Sequence, residues 1–160
     1  MSGYAEIPAT KLRRLRAAEL ERLREALAAA DLPSEDLSNA TSLFYALEQN
    51  GKALGYAGLE VHGTAALLRS VVIVPEKRGS GLGRRLVEAV LECAASMGQR
   101  DIYLLTTAAS DFFLRLRFTR IDRDRVPAPI AATRQFAELC PATAICMHRL
   151  LVSEADRAKV

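Results

Sequence analysis

Gly79, Gly81 and Gly83 fall within five residues, with Arg78 before them and Arg84 after, in the run Val71-Val72-Ile73-Val74-Pro75-Glu76-Lys77-Arg78-Gly79-Ser80-Gly81-Leu82-Gly83-Arg84. Glycine lets a backbone turn tightly with no Cβ in the way, so successive N–H groups can converge on one anion. A helix opening at this point adds a dipole that favours the same negative charge. The flanking arginines can supply charge-assisted bonds to phosphate. Together these residue types predict a pyrophosphate cradle. A Walker loop would need Lys and then Ser or Thr after the last glycine, and Gly83 is followed by Arg84-Arg85, which points away from an NTPase or kinase. The spacing is also not the G-x-G-x-x-G of a dinucleotide-binding fold.

Other residues stand out by their surroundings. Arg69 lies in an apolar stretch five residues before Val74, and a buried guanidinium is costly unless paired. A substrate oxyanion and a protein carboxylate are both open as its partner. If His62-Gly63 is a two-residue hairpin turn, Glu60 pairs with Ala65 and Tyr56 with Arg69, all on one face. Glu60 would then lie on the order of 13 Å from Arg69, at roughly 3.3 Å per residue. It is not Arg69's partner in that register, and is either a general base, directly or through water, or a surface carboxylate. Thr106 and Thr107 end another apolar segment, and one of them should face a cleft. Tyr45 and Phe44 either wall an acceptor pocket or belong to the core.

The elements that must hold these residues follow from periodicity. Leu20, Leu23 and Leu27 recur at helical spacing within Ala17 to Ala30, and Ser34 is placed to cap a short helix through Ala40. The preceding Lys11, Arg13, Arg14 and Arg16 read, with Glu19, Glu21, Arg22, Arg24 and Glu25, as a solvated helix face. Residues 42–48 and Ala53 to Val61 predict a hairpin around Gln49-Asn50-Gly51. Thr64 to Val74 is a long strand stopped at Pro75, which has no N–H to donate. Leu82, Leu86 and Val90 stripe a helix from Gly83 to Met97. A strand from Asp101 to Thr107, a helix from Ala109 to Leu116 and a strand from Phe118 to Arg123 follow. A Pro-rich turn at residues 126–129, a helix from Ile130 to Leu139 and a strand from Ala144 to Leu151 complete the pattern, and Ser153 to Val160 read as a tail. Helices, an antiparallel meander and a β-α-β crossover give a mixed α/β single domain.

The 160 residues suit one domain, and 50% hydrophobic with 26% charged residues suits a globular chain. A net charge of +3, no tryptophan and 6% aromatics argue against a nucleic-acid binder. No stretch reaches the roughly 20 apolar residues of a membrane span, and the opening residues lack a secretory apolar core, so a cytoplasmic protein is expected. Cys93, Cys140 and Cys146 form no CxxC and no metal-ligand spacing with His or carboxylates. Reduced thiols and no metal are the expectation.

The pattern V-x-P-x-x-R-G-x-G-x-G, here Val72 to Gly83, resembles the acetyl-CoA signature of the GNAT N-acetyltransferase superfamily, and the order of elements from Lys11 to Leu151 is similar to that superfamily's. A narrower resemblance, to the arsenic-resistance N-acetyltransferase branch, is carried by residues 66–70, 103–108, Phe112-Phe113, 133–136 and 139–141. The superfamily resemblance implies a GNAT domain over residues 1–152 with a tail at 153–160. Its mixed, mostly antiparallel sheet would splay between the strands at 64–74 and 101–107, with helices on both faces.

The resemblance also implies that backbone groups of Val72, Ile73 and Val74 hold the pantetheine arm of acetyl-CoA. Arg78, Gly79, Ser80, Gly81, Leu82, Gly83 and Arg84 would hold its pyrophosphate. The expected product is an acetylated primary amine on a small anionic molecule, with Arg69 expected as anion anchor, Tyr45, Thr106 and Thr107 around the acceptor and Glu60 as base. An arsenic-containing amino acid is the preferred acceptor, a protein or peptide amine or a non-catalytic acyl-CoA sensor the alternatives. Phe113 stands where many members carry the tyrosine that protonates the leaving thiolate, leaving Ser110, Thr106 or water for that step. The cysteines raise the idea of thiolate binding to trivalent arsenic, against small buried hydrophobes. No nucleic-acid or membrane partner is expected, and a homodimer is one assembly the superfamily allows.

Overall fold

The computed structural model describes residues 9–151. The tail assigned to Ser153 to Val160, and the start of the domain assigned from residue 1, lie outside the described residues.

Seven strands form one sheet in the order β1-β2-β3-β4-β5-β7-β6. The strands are β1 (Lys11–Arg14), β2 (Ser42–Gln49), β3 (Lys52–His62), β4 (Ala65–Ile73), β5 (Asp101–Thr106), β6 (Thr119–Arg120) and β7 (Ile145–Leu150). The helices are α1 (Leu20–Ala29), α2 (Leu82–Ser96), α3 (Ser110–Arg115) and α4 (Ala128–Ala131). Asn50 and Gly51, both at positive φ (52° and 76°), make the tight turn between β2 and β3. This is the asparagine-glycine hairpin turn expected from the sequence.

The sheet is covered on both faces, as strand alternation requires. Tyr45, Leu47, Ala57, Leu59, Leu68, Ile102, Leu104 and Met147 pack under α2 and α3. On the other face Phe44, Ala46, Tyr56 and Val72 meet Leu23 and Leu27 of α1, while Leu67, Tyr103 and Cys146 meet Val126, Ile130 and Phe136. Leu68 and Val72, four apart on one strand, would share a face in a regular strand. They lie on opposite faces because Ser70, at φ 58°, forms a bulge where β3 steps from Tyr56 to Gly58 while β4 steps from Val72 to Arg69.

Among the described residues only β4 and β5 run parallel, and they pair over just Ala65–Leu67 and Asp101–Tyr103. Beyond Leu67, β4 has β3 on one side and no strand of the described residues on the other. The sheet splits there, as the superfamily resemblance implies.

Several expectations are corrected. Lys11–Arg14 is an edge strand and not a helix face; Arg13 reaches from it to Glu19 at 2.6 Å and Glu48 at 2.8 Å. Residues 34–40 are not helical; they form an irregular loop that buries Asp36 and Leu37. The helix expected over residues 130–139 is broken: α4 ends at Ala131, and Gln135–Leu139 forms one wide π-type turn. The strand expected over residues 118–123 shrinks to Thr119–Arg120. The β3–β4 turn sits at Gly63-Thr64, because Gly63 supplies the positive φ (65°), so His62 pairs with Ala65 and Glu60 with Leu67. Tyr56 therefore opposes Val72 and not Arg69. Among the described residues no helix is long and apolar enough to cross a membrane.

Candidate active site

The split between β4 and β5 opens a cleft of about 1000 Å³. One end meets the glycine-rich turn. Gly79 and Gly81 take φ of 80° and 79°, a conformation that β-carbons resist, and Gly81 is the N-cap of the 15-residue α2. Among the described residues, the backbone N–H groups from Gly79 to Arg84 have no acceptor, and Arg85 is the first to donate, to the Gly81 carbonyl. The turn is braced from within: Ser80 Oγ donates to the Lys77 carbonyl at 2.6 Å and Arg78 Nε to the Ile73 carbonyl at 3.2 Å. A β-carbon on Gly83 would stand 3.4 Å from the Phe112 ring, so helix start and α3 meet closely here. Arg84 is engaged with Glu88 at 3.1 Å on the exposed side of α2.

Free N–H groups in this number at a helix start make an anion cradle. The apolar wall from Val72, Ile73, Leu104 and Phe112 continues it into the cleft. The donor set therefore fits coenzyme A: a diphosphate at the turn, and an amide-bearing arm along the unpaired side of β4.

The other end is built from side chains far apart in sequence. Arg69 is 4% exposed, and every nitrogen of its guanidinium already has an acceptor. Nη1 donates to Asp36 Oδ2 at 2.7 Å and Nη2 to Asp36 Oδ1, a bidentate pair, while Nε donates to Ser70 Oγ at 3.2 Å. Glu60 Oε2 lies 3.8 Å from Nη1, so Glu60 is an ionic neighbour of Arg69 after all, brought within reach by the shifted register. Glu60 is itself 4% exposed; its Oε1 meets His62 Nε2 at 3.3 Å, and its Oε2 has no hydrogen-bond partner. Gln135 completes the group by donating from Nε2 to Asp36 Oδ1 at 3.3 Å. Asp36 and Gln135 were not singled out from sequence. The only hint was Arg69 itself, whose burial demands a carboxylate without saying which.

The remaining candidates divide. Thr106 and Thr107 line the cleft, and Thr106 Oγ1 accepts from the Ala109 N–H at 3.0 Å, leaving its own proton free to donate. Ser110 stands next to the wall residue Ala109 without lining the cleft, and its hydroxyl faces Arg120 at 3.5 Å. Tyr45 is buried under α2, 5% exposed, with its hydroxyl accepting from Cys93 Sγ at 3.5 Å, and burial pushes its phenol above the ordinary value. It does not line the cleft. Phe113 reaches the cleft wall with no hydroxyl, packed edge-on against Phe112 and Phe118. Cys140 lines the cleft and gives its S–H to Gln135 Oε1 at 3.3 Å; burial raises its thiol pKa, and raises that of Cys146 to about 11. Neutral thiols of this kind behave as small hydrophobes. Among the described residues no three His, Cys, Asp or Glu side chains are grouped to hold a metal ion.

With cradle and split strands in place, the sequence profile of the acetyltransferase (GNAT) domain matches residues 40–120, just over half of the chain. The chain belongs to the GNAT acetyltransferase family. It is 32% identical over 117 residues to a mycothiol acetyltransferase of Pseudarthrobacter chlorophenolicus, a match spanning 65% of this chain and 36% of that protein. An uncharacterized N-acetyltransferase of Chlorobaculum tepidum is 27% identical over 88 residues, 54% of this chain and 56% of its own length. The matches thus span about a third to somewhat over half of these relatives. Among solved GNAT-like structures, N-acetylglutamate synthase of Neisseria gonorrhoeae, complexed with coenzyme A and N-acetyl-glutamate, superimposes with a TM-score of 0.76 at 17% identity. That overlap covers 90% of this chain and 35% of the synthase. A Mycobacterium tuberculosis protein in complex with CoA gives 0.72 at 21% identity, covering 89% and 99%. At these identities the likeness concerns the GNAT fold.

Proposed function

We propose that this chain is an acetyl-CoA-dependent N-acetyltransferase that acetylates a primary amine on a small molecule. The observation that carries the reading is the row of acceptor-free N–H groups from Gly79 to Arg84, opening directly onto the unpaired side of β4. Acetyl-CoA supplies an acetyl group already activated as a thioester. The cradle would hold the diphosphate, and the edge of β4 at Val72 and Ile73, which lines the cleft, would meet the arm and direct the thioester toward the space between Arg69 and Thr106. Val74, expected to share that role, does not line the cleft and gives its N–H to the Leu54 carbonyl at 2.9 Å.

Transfer needs the amine nitrogen to lose a proton, form the C–N bond as the C–S bond breaks, and leave a thiolate that gains a proton. Thr106, with its free hydroxyl proton, is the proposed donor to sulfur; Ser110 stands one step outside the wall. Glu60 does not line the cleft, so its proposed contribution as base runs through water and not through contact with the amine.

The test is mass-detected acetylation with free-thiol release, using acetyl-CoA and a panel of a diamine, an amino acid, an arsenic-containing amino acid, phosphinothricin and a basic peptide. Amine-dependent thiol release with one small acceptor is expected. The arsenic-containing amino acid is included because of the sequence resemblance, and preference for it would place the protein in arsenic resistance. Turnover of the peptide alone would replace the small-molecule reading with a peptide acetyltransferase. Tight CoA binding with no turnover across the panel would leave a sensor.

A further inference from the structure

Arg69 carries the positive charge expected of an anchor for an anionic acceptor, yet its surroundings have already consumed that charge. Asp36 takes it in a bidentate pair at 1% and 2% side-chain exposure, and Glu60 adds a second carboxylate 3.8 Å away. The buried group thus sets two carboxylates against one guanidinium, with the His62 imidazole 3.3 Å from Glu60 Oε1, the carboxylate oxygen other than the one near Arg69. Asp31, exposed at the cleft rim, adds a further negative charge with no ion-pair partner among the described residues. Arg134, also close by, is paired with Glu35 at 3.8 Å and Glu138 at 3.2 Å. Arg123 lies behind the 135–141 segment, over the Phe136 ring, and its Nη2 donates to the Pro141 and Ala144 carbonyls.

The neutral polar group at this end has the same sense. Asp36 can only accept, so the Gln135 amide must present Nε2 to it and turn Oε1 toward Cys140 and the cleft. A carbonyl oxygen engaged only by a weak S–H donor can receive an N–H from a ligand and cannot serve a carboxylate.

We infer that Asp36 is a specificity-determining residue: by neutralising Arg69 and orienting Gln135, it makes the acceptor end favour cationic amines and disfavour anionic ones. The inference rests on the acetyltransferase reading for the location of the acceptor. It reverses the role expected of Arg69 from sequence, from substrate anchor to internal counter-ion. An acceptor carboxylate would be repelled by this negative field, whereas a second ammonium would be drawn by it, through the cleft wall from Asp36 and Glu60 and directly from Asp31 at the rim.

Three five-carbon amines isolate the charge: cadaverine, pentylamine and 5-aminopentanoate. Both kcat/KM for acetylation and calorimetric binding to the CoA-loaded chain are measured. Cadaverine is expected to exceed 5-aminopentanoate by at least about tenfold, with pentylamine between, and the ratio to shrink as salt rises and screens the exposed Asp31. D36N keeps the shape but frees the Arg69 charge, so the preference should collapse or invert, with circular dichroism melting reporting whether the variant is folded. D31N, at an exposed position whose φ of 56° asparagine tolerates, should lower the preference by about two- to fivefold, the scale of a surface charge.

Equal or better use of 5-aminopentanoate by the unmodified chain would overturn the inference, as would failure of cadaverine to bind at millimolar concentration. Selective cadaverine binding without acetylation would uphold it and sink the transferase reading. Should the chain fail to bind CoA, the same calorimetry on the free chain decides the amine preference.

Discussion

The two ends of the cleft are built by opposite methods. The proposed cofactor end is one contiguous stretch, residues 72–84, and would work through backbone N–H groups around the positive φ of Gly79 and Gly81. The proposed acceptor end draws Asp36, Glu60, Arg69 and Gln135 from four separate places into side chains locked against one another. A backbone site can be lost with little effect on the fold. A buried side-chain network cannot, because its members hold the loop at 31–40 and the segment at 133–141 onto β4. The difference separates ligand binding from folding at one end and fuses them at the other.

The largest expected effect tests that fusion. Arg69→Ala leaves Asp36 buried without its counter-ion and should cost about 3–5 kcal/mol of stability, read by urea denaturation. A loss below 1 kcal/mol would show that the network is not structural. Gly58→Ala comes next. A β-carbon there would stand 2.6 Å from Phe44 Cε1 and 3.3 Å from Arg69 Cγ, and the forced repacking should cost about 1–3 kcal/mol. It should also raise KM for the amine while sparing KM for acetyl-CoA; a change in both would blur the two ends.

Gly81→Val acts at the opposite end. A branched residue at φ 79° carries about 1–2 kcal/mol of backbone strain. Since the turn is exposed, the loss should appear as a tenfold or so weaker CoA affinity by calorimetry, with a melting temperature close to that of the unmodified chain. A melting point lowered as far as in Arg69→Ala would erase the contrast.

The smallest effect lies outside both ends, where Arg13 holds the Glu19 carboxyl down to about 2, against an ordinary value near 4.5. A depressed carboxylate contributes stability above its unfolded value, and loses it as pH falls. The advantage of the unmodified chain over Glu19→Gln should therefore be full above pH 4.5 and fade as pH falls toward 2, by acid denaturation.

What was legible in the sequence follows the same division. Period-two and period-3.6 patterns located β2 to β5 and α2, because each buries a face of its own residues. The cradle was legible because its chemistry is local. The strand β1 was not, since four residues rich in arginine carry no apolar alternation and are held by pairing with β2 and by the Glu19 and Glu48 carboxylates. The loop holding Asp36 has turn-like residues that also suit a helix cap, and only its burial against Arg69 decides its path. A one-position error in the turn at Gly63-Thr64 was enough to separate Glu60 from Arg69, because register sets every cross-strand neighbour. Tyr45 shows the limit of identity alone: neighbouring strand positions face opposite sides, and only the fold shows that Phe44 packs toward Arg69 while Tyr45 goes under α2.

The split between β4 and β5 also divides the backbone ladder of the sheet. Strands β1 to β4 form a run of antiparallel neighbours, and β5, β7 and β6 form another, with three register positions bridging them. Few backbone hydrogen bonds cross that seam, so the shared core beneath α2 and α3 carries most of what ties the two halves together. A ligand lying along the seam bonds both halves at once. Occupancy at a hundred times the dissociation constant adds about 2.7 kcal/mol to the intact state. The molecule's resistance to partial unfolding is thereby set in part by how full its cleft is kept.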